Sequence, residues 1–243
     1  MQAYFRFLLV LLMAISHAGT AQRILPFRGS FLMSFSEGNA SQKKAWPFHC
    51  TTDVTKTGIE IKDDMNAKGV NKRIIYNLLD SSWLMLLSYN NVKQATRIHA
   101  NAMFSDKMVV PKVSMRLTHE TKLIDGYRCD KYIIESEKDS AVVWVAAEFN
   151  FDLCKLYKML AHCGMMSSYV DDGTWYFAKQ IRGMVLEVTS YSKSNGTSYS
   201  MLISGIQQNE IIIPYFDLAG YKITDIAPGE NCGQVATEPE IKK

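Results

Sequence analysis

Residues 121–146, TKLIDGYRCDKYIIESEKDSAVVWVA, constrain the fold most: two apolar, β-branched runs flank a charged turn. Residues 131–134 and 141–145 carry Tyr, Ile, Val and Trp at strand density, whereas Glu135 to Ser140 have nothing to bury, so the stretch reads as a β-hairpin. The same period of two recurs upstream. Phe31, Met33 and Phe35 alternate with Ser34 and Ser36, Phe48, Cys50 and Thr52 repeat the pattern more weakly, and residues 58–63 alternate cleanly. Residues 73–79 and 83–89 form two further apolar runs around Asp80-Ser81-Ser82, the spacing of a tight hairpin. Residues 93–98 read as a more polar, edge-like strand, and Val113, Met115 and Leu117 alternate again up to His119. Strands at such short, regular intervals predict a meandering antiparallel sheet.

The period changes after Asn150. Leu153, Leu156, Tyr157 and Leu160 fall at i, i+3, i+4 and i+7, with Asn150 or Asp152 as N-cap and Gly164 as C-cap, which predicts an amphipathic helix. Residues 174–182 fit a second short helix or a strand. Alternation resumes at 184–191 and 197–206 around the turn-forming Ser192 to Gly196. Residues 211–226 close the globular part, and 227–243 form a polar tail.

Arg6, the short apolar run 7–15 and the small residues before Gln22 predict an export signal at 1–21, cleaved after Ala21, or after Ala18 as the second choice. That run is too short to span a bilayer, which takes about 20 residues, so no transmembrane span is expected. The expected product is a single β-rich domain over 22–226, periplasmic or secreted. Its net charge is +3 and no five like charges run together, which argues against nucleic-acid binding.

All five cysteines, Cys50, Cys129, Cys154, Cys163 and Cys232, lie beyond the leader, and export permits disulfides without choosing a pairing. Cys154 and Cys163 are expected not to pair with each other. Nine helical residues separate their Cα atoms by about 13.5 Å, whereas a disulfide tolerates roughly 4.4 to 6.8 Å.

The motif search removes the usual grounds for an enzyme. His119-Glu120 lacks the second histidine of a zinc-protease helix, because position 123 is Leu123. His49-Cys50 and His162-Cys163, with Cys154 nearby, lack zinc-site spacing, and Asp171-Asp172-Gly173 is too short for a calcium loop. No Gly-x-Ser-x-Gly elbow, phosphate loop, Cys-x-x-Cys or dinucleotide fingerprint occurs, so neither a cofactor nor a metal is expected. The sequons at Asn39 and Asn195 matter only in a host that glycosylates them. Thirteen Met, eleven Phe and twelve Tyr remain, many on alternating strands. Such residues build cores, and methionine also lines adaptable apolar pockets, so a lipid-sized cavity is a second use for them.

Several short pieces resemble a domain of unknown function in exported Gram-negative proteins, itself similar to the LolA/LolB lipoprotein-carrier superfamily. They are Ile124-Asp-Gly-Tyr127-Arg-Cys129-Asp-Lys-Tyr132, Val143-Trp144-Val145, Gly183-Met-Val-Leu-Glu-Val188 and Phe216-Asp-Leu-Ala-Gly220-Tyr221. The resemblance implies an α+β fold: a strongly curved antiparallel sheet, an incomplete barrel, with helices covering its concave side. It also implies non-catalytic binding of a hydrophobic small molecule or lipid, with a lipidated envelope protein as a further partner. The residues expected to line the apolar cavity are Phe31, Met33, Phe35, Trp83, Met85, Leu87, Trp144, Leu156 and Leu160. Two alternatives stay open: an envelope protein-protein interaction module with a filled core, and a hydrolase with an unrecognised site.

Overall fold

The structure, a computed structural model, describes residues 25–37, 44–53, 55–61, 71–77, 79–80, 82–99, 113–151, 181–194 and 196–226. The expected leader at 1–21, the helix around Leu156 and Leu160, residues 174–180 of the second helix or strand, the tail at 227–243, Cys154, Cys163, Cys232 and the sequon asparagines Asn39 and Asn195 lie outside these residues.

The described chain is almost entirely strand. In order it forms β1 (Leu25–Pro26), β2 (Gly29–Glu37), β3 (Lys44–Asp53), β4 (Lys56–Ile61), β5 (Asn71–Asn77), β6 (Ser82–Tyr89) and β7 (Val92–His99). Then come β8 (Ser114–Ile124), β9 (Tyr127–Glu135), β10 (Asp139–Ala146), β11 (Phe149–Asn150), β12 (Met184–Ser192), β13 (Ser198–Gln208) and β14 (Lys222–Asp225). Twelve of these make one open sheet in the order β14-β7-β6-β5-β4-β3-β2-β13-β12-β10-β9-β8, and β1 with β11 makes a small parallel ribbon. Strands β2 to β7 are a meander of successive hairpins. The pairing of β2 with β13 joins that meander to β8–β10, β12 and β13.

Local chemistry accounts for the turns. Asp125 and Gly126 take φ of 51° and 83° between the paired residues Ile124 and Tyr127, and Asn90 and Asn91 take 46° and 66° between Tyr89 and Val92. Both are two-residue hairpins of the kind whose left-handed backbone suits Asn, Asp and Gly. The Asp125 carboxylate also accepts a 2.6 Å hydrogen bond from the Ile206 backbone N–H, beside the irregularity in β13.

The α+β class with a helical cover is corrected by this architecture. Among the described residues the sole helical element is a 3-10 turn at Ile213–Phe216, and the sheet is open with edges at β8 and β14. Aromatic residues just ahead of the expected helix pack on the core. Phe27 packs edge-on against Phe31, Phe149 and Phe151, and Phe151 against Phe31, at ring separations of 5.4 to 6.2 Å. On the opposite face the chain at 211–226 does the covering, with the 3-10 turn followed by the short strand β14. Strand β7 is likewise not the edge that its polarity suggested, because β14 pairs with it in parallel.

Candidate functional site

Residues directly opposite in an antiparallel pair share a face, so the register sorts the side chains. Across β3 to β7 one face is built in rungs. The first, Thr52, Thr57, Tyr76, Trp83 and Ile98, is buried throughout. Its two threonine hydroxyls satisfy each other at 2.8 Å, which removes the cost of burying them among apolar groups. The second rung is Phe31, Cys50, Ile59, Ile74, Met85 and Thr96. Ile59 and Ile74 are fully enclosed, but Met85 and Thr96 are half-buried. In the third, Lys72 and Leu87 are half-buried and Gln94 is exposed. Beyond it Tyr89 is half-buried beside Val92, which is 55% exposed. This apolar face therefore opens toward the β6–β7 turn.

The cavity residues expected from the sequence are placed as follows. Phe31, Met33 and Phe35 lie on β2 and are buried at 3%, 1% and 7% exposure, with Met33 paired to Ile203 and Phe35 to Met201. Trp83, Met85 and Leu87 share the same face on β6. Trp144 takes the other phase of β10 and is half-buried, packed against the same core cluster. Its neighbours Val143 and Val145 take the buried side of β10, while Trp144 pairs with Lys131 and Glu187. There the Lys122 and Lys131 ammonium groups stand 4.3 and 5.7 Å from its ring, held by ion pairs of 2.8 Å to Glu187 and Glu120. Leu156 and Leu160 are outside the described residues.

Two cysteines are described, Cys50 and Cys129, and both are free and buried. Burial pushes the Cys50 thiol far above its usual range and raises Cys129 to about 11, so both stay protonated and poorly nucleophilic at neutral pH. Among the described residues no group of three His, Cys, Asp or Glu is placed to hold a metal ion. No helix among them is long and apolar enough to cross a membrane. His119, singled out by its sequence neighbour Glu120, sits at φ 64° in the irregular stretch of β8.

The opposite face of β4 to β7 is closed by residues 211–226, a strap that sequence periodicity did not reveal. Ile75, Leu86 and Ala95 form a small buried cluster under Phe216, Leu218 and Tyr221. The Arg73 guanidinium donates to the carbonyls of Pro214 and Asp217 and to the Tyr221 hydroxyl, and Lys93 donates to the carbonyl of Ala219 at 3.0 Å. Tyr215 donates to the Glu60 carboxylate at 2.9 Å. Its own ionisation is pushed well above the usual tyrosine range, first by burial and then by that bond and the Glu60 charge. A Cβ at Gly58 would meet Phe216 Cε1 at 3.0 Å and Tyr215 Cβ at 3.1 Å, so glycine lets the strap lie this close.

The chain matches no protein-family profile and no curated protein sequence. Among solved structures it is similar to PNGF-II in its P21 and C2 crystal forms, with TM-scores of 0.43 and 0.42 at 13% and 15% identity. Those matches cover 82% of this chain, which spans about a third of the length of PNGF-II, 32% and 31% in the two forms. It is also similar to a DUF1329 family protein from Desulfovibrio piger, with a TM-score of 0.25, 9% identity, and 86% and 95% of the two chains covered. A domain designated an outer membrane lipoprotein-sorting protein, from Vibrio parahaemolyticus, matches with a TM-score of 0.20 and 9% identity over 74% and 85%.

Proposed function

We propose that this chain is an exported, non-catalytic binding protein of the cell envelope that holds a hydrophobic ligand, a lipid or acyl chain, against the open end of its apolar sheet face. The carrying observation is the burial gradient across the rungs of β4 to β7. Trp83 and Ile98 are enclosed, Met85 and Leu87 are half-buried, and Val92 is exposed, so apolar surface runs continuously from the interior to solvent. A continuous apolar patch leading inward is where an acyl chain gains most from leaving water, roughly 0.8 kcal/mol per buried methylene. The leader at 1–21, once removed, would leave the domain in the periplasm or outside the cell.

A second reading has its own support: the low exposure of Phe31, Met33 and Trp83 suits a filled core in a module that works by protein contacts. One experiment separates the two. Delipidated protein is titrated with the neutral probe N-phenyl-1-naphthylamine and with long-chain lipid as competitor. Saturable, lipid-displaced binding that is weakened about tenfold by Met85→Asp with Leu87→Asp supports the carrier, since a charge in such a contact costs more than the lost apolar area. Absence of probe binding to folded wild-type protein supports the filled module.

A further inference from the structure

Resting on the binding reading above, we infer that the ligand carries a single acyl chain of about sixteen carbons, extended along β6 with its end against Trp83, so that this face measures chain length. The open apolar surface is one strand wide. Its members are Met85, Leu87 and Tyr89, which share one phase of β6 and are all half-buried. On one flank Ile74 of β5 is enclosed at 1% exposure and is already packed. On the other, β7 sets Thr96 opposite Met85 and Gln94 opposite Leu87, and β14 beyond it sets the exposed Lys222 and Thr224 in register with Gln94 and Thr96. Strands stand about 4.8 Å apart and touching carbon atoms roughly 3.5 to 4.0 Å apart, so the strip holds one hydrocarbon chain. A second chain beside it would lie on Thr96, Gln94 and Lys222, polar groups that lose water and gain no partner from a methylene.

The strip has a floor and a mouth. Trp83 and Ile98, opposite each other in the innermost rung, are enclosed at 3% and 1% exposure, with the buried Tyr76 opposite Trp83 on its other side. The outermost rung pairs the half-buried Tyr89 with Val92, 55% exposed, at the turn formed by Asn90 and Asn91. From Trp83 to Tyr89 the strand rises roughly 20 Å, at about 3.3 Å per residue. A zigzag of about 1.5 Å bonds at roughly 111° advances about 1.25 Å per carbon, so about sixteen carbons fill that length. Carbons added past it leave Val92 behind and stay in water, where they gain nothing.

The test uses the full mature chain, delipidated, with N-phenyl-1-naphthylamine as reporter and decanoate, dodecanoate, myristate, palmitate, stearate and arachidate as competitors. Displacing strength is expected to rise about twofold per methylene up to palmitate, half the gain of full burial because one side of the chain stays in water, and then to level off. Thr96→Trp lays an indole across the strip at the Met85 rung and leaves roughly 13 Å, so the levelling should move to decanoate or dodecanoate. Gln94→Trp, at an exposed position one rung nearer the mouth, should remove the dependence on length across the series. Circular dichroism establishes that each variant is folded. Palmitoyl lysophosphatidylcholine should compete at least as well as dipalmitoylphosphatidylcholine, and the reverse order overturns the single chain. A rise that continues through arachidate, a levelling short of myristate, or one that both folded variants leave in place overturns the measuring strip while leaving a hydrophobic site standing. Failure of every competitor, or of the probe itself, to bind folded wild-type protein overturns the binding reading and this inference together.

Discussion

The two sides of β4 to β7 arise from one alternating sequence but are held by different means. On the rung side Ile59, Ile74, Trp83 and Ile98 are enclosed by apolar contact, and water-facing groups appear gradually toward Lys72 and Gln94. On the strap side the apolar cluster is small, Ile75, Leu86 and Ala95, and its cover is fastened by cations that bond backbone carbonyls. Packing that grips by area tolerates little loss of volume. The latch depends on how near the strap's backbone lies, and Tyr215, Tyr221 and Asp225 add side-chain bonds to Glu60, Arg73 and Arg97.

This contrast predicts a ranking. The largest effect belongs to the rung side: Trp83→Ala should cost about 3 to 5 kcal/mol, because it opens a cavity in an enclosed rung, and urea denaturation measures it. Gly58→Val comes next, at about 1 to 3 kcal/mol, since its side chain meets Phe216 and Tyr215 where no room exists. Hydrogen exchange should show protection lost at 213–226 with the rungs of β5 and β6 still protected. Loss in both places would mean that the two faces are not separable.

The smallest effect is Tyr215→Phe, about 1 kcal/mol for one hydrogen bond. It also carries a pH signature. The Tyr215 hydroxyl ionises above the ordinary value of about 10, so its contribution is full below that pH and declines as pH rises toward the elevated folded value. Wild-type stability should therefore fall through this alkaline window more steeply than that of Tyr215→Phe. Parallel pH curves would remove the Glu60 bond from the latch.

Much of the sheet was legible because its signal is local. Phe31, Met33 and Phe35 alternate with serines, so their shared face follows from the period of two alone. Trp144 shows what periodicity leaves open. Its run Ala141-Val-Val-Trp-Val145 is apolar on both phases, and the register, not hydrophobicity, gave the buried phase to the smaller Val143 and Val145. An aromatic ring between two lysines is as well satisfied as one in a core. The strap had no readable signal, since its 3-10 turn and four-residue β14 have no sustained period and their partners lie far away in sequence.

That distance has a consequence in time. Arg97 and its partner Asp225 are 128 residues apart, and β14 is the last strand of the sheet to be made. Until residues 222–225 reach it, β7 lacks its neighbour. Through that interval Ile75, Leu86 and Ala95 face outward beside a bare strand edge, the combination most prone to pairing with another chain. A chain truncated before residue 211 should therefore associate through β5 to β7 on refolding, as measured by sedimentation, and the full chain should stay dispersed.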